Sequence, residues 1–278
     1  MDTILKRLDS LLVYTPSVVN QKLLASTLVV YAFVTVALSF LICLFGTMYL
    51  VSYLAKKKMT VMDYHKEGKP QIPRPGGPSI VAGSVLGEIA LFGLTLNYAA
   101  LGLALVILIS GIIGLIDDLK TLGGVAKPAL LLLGGIPLLA LQYLVPNAMV
   151  FDHHLYLPLF SVPTNIPVIY LLLILVAIPV VTNTINTIDV LNGVVSWFIL
   201  IAFIPVTFAI VLRMVEGKEN PVILVAVLPV IAATLAFYLF HRFPSKIFPG
   251  DSGAMALGAA YVTIAIIGGV EVVAVIAI

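Results

Sequence analysis

Long apolar stretches separated by short polar ones set the pattern of this chain. Apolar runs occupy residues 23–54, 80–96, 99–116, 130–144, 166–181, 194–212, 222–240 and 254–267. A bilayer core about 30 Å thick takes roughly 20 helical residues, so each run, with its flanks, predicts a membrane-spanning helix. A last run, 270–278, is too short to cross. The expected fold is an all-α polytopic membrane protein, a single transmembrane domain over 1–278, with about nine spans of which the ninth is incomplete. After the fourth span, residues 146–167 carry no Lys or Arg and alternate around Phe151-Asp152-His153-His154-Leu155-Tyr156. That segment predicts a short extracytoplasmic hairpin, and its two histidines read as surface residues in preference to metal ligands. No internal repeat is visible, which removes support for an inverted-repeat transporter.

Composition agrees with the pattern. Of 278 residues, 61% are hydrophobic and only 10% charged, where soluble domains carry about a quarter. A soluble globular enzyme is excluded. The single cysteine, Cys43, sits inside an apolar run and reads as a small core hydrophobe. Asp2, Lys6, Arg7 and Asp9 precede the first run, so an anchor is expected there in place of a cleavable signal peptide. Charge placement then orients the chain. The connections 56–78, 117–127, 183–193 and 241–253 fall on one side and hold ten of the fifteen Lys and Arg residues. The positive-inside rule makes that side cytoplasmic, with the N-terminus outside the cell membrane.

The unusual polar residues fall on that same side. Asp117-Asp118 ends a membrane-length run, and an ionised group at the centre of a span costs roughly 2.5–3.5 kcal/mol on insertion scales. An adjacent acidic pair there points to a cation, most simply a divalent metal. Lys127 opens the next span, where a helix start favours a phosphate; a structural ion pair with the aspartates is the alternative. Asn183, Asn186 and Asp189 recur every three residues, so a helix aligns them along one face. They either line a cavity or join helices. In Pro244-Ser245-Lys246-Ile247-Phe248-Pro249-Gly250-Asp251-Ser252-Gly253 the glycines permit a tight turn around Asp251, whose other reading is a helix cap. The first loop, with Lys69-Pro70 through Arg74-Pro75-Gly76-Gly77, suits phosphate or anionic lipid. Taken together, these segments put acids, lysines and amides on one face. Mg²⁺ is held by one or two carboxylates plus substrate phosphates, and phosphoryl transfer needs chiefly electrostatic positioning.

In order and spacing, the chain resembles the polyprenyl-phosphate sugar-1-phosphate transferases. This superfamily includes bacterial phospho-MurNAc-pentapeptide translocase and eukaryotic UDP-GlcNAc–dolichyl-phosphate GlcNAc-1-phosphate transferase. The matching pieces are Lys69-Pro70 through Gly77, Gly114 through Asp118, Asn183 through Gly193 and Pro244 through Gly253. The resemblance implies Mg²⁺-dependent transfer of sugar-1-phosphate from a UDP-sugar to polyprenyl or dolichyl phosphate, with release of UMP. Mn²⁺ is a substitute for the metal. It further implies Asp117, Asp118 and Asp251 as catalytic residues and Asp251 and Asn186 as metal positions. Lys69, Lys127, Asn183, Asp189, Asn192 and Lys246 are the implied substrate contacts.

Asp189-Val190-Leu191-Asn192-Gly193 departs from the bacterial Asp-Gly-Leu-Asp-Gly. Asn192 is closer to the eukaryotic and archaeal branch and Asp189 to the bacterial one, which leans the donor toward UDP-GlcNAc. The family pattern also implies ten spans and a later cytoplasmic loop with a His- or Arg-containing motif. The sequence stops at Ile278, within the ninth expected span, so a piece of a longer protein or a degenerate member is expected. Self-association as a homodimer is compatible with such a bundle, and no nucleic-acid partner is expected. The rivals to an enzyme are a non-catalytic polyprenyl-phosphate-binding protein and a transporter. A transporter would place its acids near the bilayer midplane, not at one interface.

Overall fold

The computed structural model describes residues 18–63, 67–146, 148, 150, 151, 154, 155, 164, 165 and 167–278. Its helices are α1 (Val18–Lys56), α2 (Gly77–Thr95), α3 (Tyr98–Leu119), α4 (Ala126–Leu131), α5 (Ile136–Leu144), α6 (Pro167–Ile188), α7 (Val194–Val215), α8 (Pro221–His241), α9 (Gly250–Ile267) and α10 (Glu271–Ile276). Eight membrane-length apolar helical stretches are present among the described residues, with α4 and α5 together forming the fourth. The chain is therefore an all-α, multi-pass membrane protein, in register with the eight full runs of the sequence. The partial ninth run is the short helix α10.

Several boundaries differ from expectation, each for a local reason. The fourth span starts earlier, at Ala126, and is broken by a 3₁₀ turn at Leu132–Gly135. Gly134-Gly135 and Pro137 weaken the regular ladder there. The corner near Asn97 is sharp because Leu96 adopts φ 53° and the Asn97 side chain accepts the Ala99 N–H at 2.9 Å. Helices α3, α6 and α9 run further into the polar zone than the apolar runs do. Asp117 and Asp118 thus lie in the last turn of α3, Asn183 and Asn186 on α6, and Asp251 in the first turn of α9. The expected hairpin is present as paired strands, β3 (His154–Leu155) against β4 (Thr164–Asn165). His153, Asp152, Lys6 and Arg7 lie outside the described residues.

Helix α9 occupies the bundle axis. Every residue from Ser252 to Ile267 is buried, and it packs on α3, α6 and α2. Lipid is as apolar as leucine, so helices associate through close packing of small residues and hydrogen bonds. Its sequence, Gly-Asp-Ser-Gly-Ala-Met-Ala-Leu-Gly-Ala-Ala, is built for that approach. Helix α1 is the opposite case, with Val29, Phe33, Phe45, Met48 and Tyr49 exposed toward the surrounding lipid. One hydroxyl joins three spans: Ser39 Oγ lies 2.9 Å from the Gly83 carbonyl and 2.6 Å from that of Pro229.

At the end that carries the polar segments, the first loop forms an antiparallel pair of β1 (Thr60–Met62) with β2 (Gln71–Pro73). The strand after it is zipped to the fourth loop. Phe248 N–H donates to the Pro73 carbonyl at 3.0 Å, and Gly76 and Gly77 N–H donate to Phe248 and Pro249 at 2.8 and 2.7 Å. This zipper fixes Arg74 against the start of α9.

Candidate active site

Three aspartates and two basic residues meet where α3, α4 and α9 converge. Asp118 is held by four bonds. Its carboxylate accepts the backbone N–H groups of Asp251 and Ser252, both at 2.9 Å, and Arg74 Nε and Nη2 at 3.2 and 3.1 Å. It caps α9 from another helix, where the positive end of the dipole stabilises a carboxylate. Arg74 Nη2 also reaches Asp251 Oδ1 at 2.7 Å. Lys127 Nζ bridges the other side, 2.7 Å from Asp117 Oδ2 and 2.9 Å from Asp251 Oδ2. Asp117 Oδ1 accepts the Leu122 N–H at 2.6 Å, tying down the loop between α3 and α4. Three negative and two positive charges are thus interlocked at short range.

Two glycines make this approach feasible. A Cβ on Gly114 would lie 2.5 Å from the Asp251 carbonyl oxygen, so α3 and α9 touch backbone to backbone there. Gly250 has φ +70°, and a Cβ on it would sit 2.6 Å from an Asp118 carboxylate oxygen. Any side chain at either position would separate the aspartates.

The cluster lies between two unlike recesses. On one side is a cavity of about 400 Å³ lined by Arg74, Asp251, Asn186, Asp189, Leu191 and Phe248, among others. Burial pushes the Asp189 carboxyl up to about 7; Arg74 opposes the shift while Asp251 and Asp118 add to it. On the other side is a groove of about 600 Å³ whose walls include Pro128, Ala129, Leu132, Val176, Pro179 and Val180, with Asn183 as its one amide. Past Val176 and Val180 it continues into a further apolar recess of about 470 Å³. Helix α6 is the partition, presenting Asn186 to the cavity and Val176 and Val180 to the groove.

The chain carries the signature of a known family at this place. The sequence model of glycosyl transferase family 4 matches residues 100–269. The chain belongs to glycosyl transferase family 4. Among its relatives is a phospho-N-acetylmuramoyl-pentapeptide-transferase of Streptococcus pyogenes, 28% identical over 250 residues, covering 82% of this chain and 70% of the relative. A Saccharolobus solfataricus protein, provisionally named a UDP-N-acetylglucosamine–dolichyl-phosphate N-acetylglucosaminephosphotransferase, is 27% identical over 241 residues, covering 84% and 70%. Both names fall in the superfamily that the motifs resemble. The family match spans Asp117, Asp118, Lys127, the α6 polar face and Asp251.

The residues singled out from sequence take up different positions. Asp117, Asp118, Lys127 and Asp251 form the cluster itself, and Asn186 and Asp189 line the adjoining cavity. Asn183 lies one turn away, on the groove side, where its amide donates to the Pro179 carbonyl at 2.9 Å. Asn192 is engaged with protein: its Nδ2 donates to Asp63 Oδ2 at 3.0 Å and its Oδ1 accepts the Ser245 N–H at 3.1 Å. It latches the first, third and fourth loops together. Lys69 and Lys246 are exposed and line neither the cavity nor the groove. Sequence reading missed Arg74, which sat among loop bases and gave no signal of its two acidic partners, and it missed Asp63.

For a metal, the relevant donors are the Asp251 carboxylate and the Asn186 amide, hard oxygens facing one cavity. Among the described residues, no three His, Cys, Asp or Glu side chains group to hold a metal alone. Such a set fits Mg²⁺, which completes its shell with phosphate oxygens and water.

Proposed function

We propose that this protein transfers a sugar-1-phosphate, most directly GlcNAc-1-phosphate, from a UDP-sugar to a polyprenyl or dolichyl phosphate at the cytoplasmic face, releasing UMP. The observation that carries this reading is the charged cluster standing between a polar cavity and an apolar groove. The two substrates differ in the same way: a polar nucleotide-sugar and a long hydrocarbon chain with a phosphate head. The family relationship and the names of the relatives support the same class of reaction.

The reaction is a displacement at phosphorus. An oxygen of the acceptor phosphate forms a bond to the sugar-bearing phosphorus of the donor, and the bond from that phosphorus to the bridging oxygen breaks. UMP leaves with that oxygen. The acceptor phosphate is largely ionised near neutral pH, so the protein's task is alignment and charge neutralisation. Lys127, at the seam, faces the acceptor phosphate, and Arg74 faces the donor pyrophosphate. Asp117 holds Lys127 in place and, through the Leu122 N–H, the loop before α4. Asp118 fixes the start of α9 and the Arg74 guanidinium. Asp251 and Asn186 would hold Mg²⁺ or Mn²⁺, which would supply further neutralisation of pyrophosphate charge. The groove along α6 takes the prenyl chain and excludes water from one side of the reacting groups. The bases of the four loops support a cytoplasmic placement in the cell membrane.

A donor panel tests this. Detergent-solubilised protein is supplied with polyprenyl phosphate, Mg²⁺ and UDP-GlcNAc, UDP-MurNAc-pentapeptide or UDP-GalNAc, and UMP release is measured. Release with UDP-GlcNAc above the others is expected. Binding of polyprenyl phosphate without UMP from any donor would replace the enzyme reading with a lipid-binding one.

A further inference from the structure

His241, the last residue of α8, is fully buried and takes no part in the chemistry above. Its Nδ1 is 2.9 Å from Ser196 Oγ, in the first turn of α7. Its Nε2 is buried and has no hydrogen-bond partner. The nearest acid is Asp189, whose Oδ1 lies 3.9 Å away. Phe237 stacks obliquely on the ring at 5.5 Å, and Phe248, which also lines the cavity, meets it edge-on at 6.2 Å. The ring therefore has little room to turn.

A buried polar nitrogen without a partner is costly and calls for an explanation. The tautomer supplies one. If Nδ1 accepts from the serine hydroxyl, Nε2 carries the proton and presents a donor toward a carboxylate. The opposite tautomer would aim a lone pair at that carboxylate. A movement of about 1 Å in the turn after α6 brings the pair within ordinary hydrogen-bond length. That turn is short, 189–193, and Asp189 is its first residue.

We infer that Ser196 and His241 form a relay that positions Asp189 for the transfer reaction, with His241 Nε2–H as the donor that orients the carboxylate toward the cavity. His241 is a positioning residue: it lines neither the cavity nor the groove, and it acts only through Asp189. The inference rests on the proposed transferase reading, because it assigns Asp189 a place in that cavity.

The test compares side chains that keep one nitrogen or the other. Gln at 241 places an amide N–H near Nε2 and gives up the Ser196 bond, whereas Asn keeps a group near Nδ1 and cannot reach Asp189. Phe keeps the ring volume and loses both. UMP release is measured with the full chain, together with thermal melting. Expected are a fall in kcat of roughly 10- to 100-fold for His241→Phe and His241→Asn, as loss of a hydrogen bond to a charged group predicts. Donor KM stays within about threefold, and His241→Gln recovers most of the rate. In an Asp189→Asn background, His241→Phe adds no further loss. Rescue by Asn instead of Gln, or additive losses in the double variant, would overturn the relay and show a structural role. If His241→Phe does not fold, Ser196→Ala gives the same readout, with a several-fold fall in kcat expected and an unchanged rate counting against the relay. A wild-type protein that releases no UMP would instead remove the transferase reading itself.

Discussion

The two sides of α6 could hardly be less alike. Toward the cavity, its end offers Asn186 and the turn after it Asp189, with Arg74 and Asp251 opposite. Toward the groove, it offers Val176, Pro179 and Val180, and the facing wall from α4 is Pro128, Ala129 and Leu132. One helix thus keeps a charged compartment and an apolar one apart by about its own diameter, near 10 Å. Lys127, in α4, stands where they meet. The arrangement solves a physical difficulty of this chemistry: a phosphate must be brought to a phosphate while the hydrocarbon attached to one of them stays in the bilayer.

The largest effect is expected on the cavity side. Asp251 joins both cations through its two oxygens, and Asp251→Asn keeps its shape while removing its charge. A fall in kcat of about 100- to 1000-fold is expected, with polyprenyl-phosphate binding retained because the groove is untouched and Lys127 keeps its Asp117 partner. Loss of lipid binding as well would show that the two compartments are not separable. Next comes the seam. Lys127→Met leaves Asp117 and Asp251 without their shared partner, and breaking one side of a buried ion pair is destabilising, here by up to about 3 kcal/mol. Both activity and melting temperature should fall. Adding Asp117→Asn should restore part of the melting temperature and none of the activity, which separates the structural share of the pair from its chemical one.

On the groove side the effect should be smaller and selective. Val176 borders both apolar recesses and is exposed, so Val176→Trp narrows the path. An increase of about tenfold in KM for a long-chain acceptor is expected, with UDP-sugar KM unchanged. A short-chain acceptor that ends before Val176 should be unaffected. Equal effects on short and long acceptors would place the chain elsewhere.

How far this division was legible in the sequence depends on whether its signals are local. The eight spans were legible because insulation from water demands long apolar runs, and each run stands by itself in the sequence. The acids were legible because a charge at the end of such a run is costly. Helical periodicity placed Asn186 toward the cavity. The single face it implied for Asn183, Asn186 and Asp189 is broken, because Asn183 turns to the groove and Asp189 lies in the turn after α6. Arg74 was not legible, because its partners are 44 and 177 residues away and the zipper that aims it is made of backbone groups. The capping of α9 was not legible for a similar reason. A cap was the other reading of Asp251, yet the cap is Asp118, 133 residues earlier. Asn192, implied as a substrate contact by the resemblance, has bonds that tie three loops together, which its own sequence neighbourhood does not signal. Local patterns report solvation, whereas the pairing that creates the site is set by tertiary contact.

The finest test of the comparison is pH, which should act on the cavity and leave the groove alone. Asp189 lies outside the spans, and burial raises its carboxyl to about 7, with Asp251 and Asp118 adding to the shift and Arg74 opposing it. In the unfolded chain an aspartate titrates near 3.9, so between roughly pH 4 and 7 the folded protein holds a proton that the unfolded chain has lost. The stability gained from the neutral carboxyl is fully present below about pH 4 and is lost as pH rises to about 7. If the carboxylate is the form that serves the reaction, activity runs the other way and rises through pH 7. Asp189→Asn should therefore flatten the stability difference between pH 5 and pH 8 and remove the rise in activity across the same range. Acceptor binding, measured at both pH values, should not follow Asp189 at all. A pH-dependent acceptor affinity that disappears in Asp189→Asn would show that the partition made by α6 leaks.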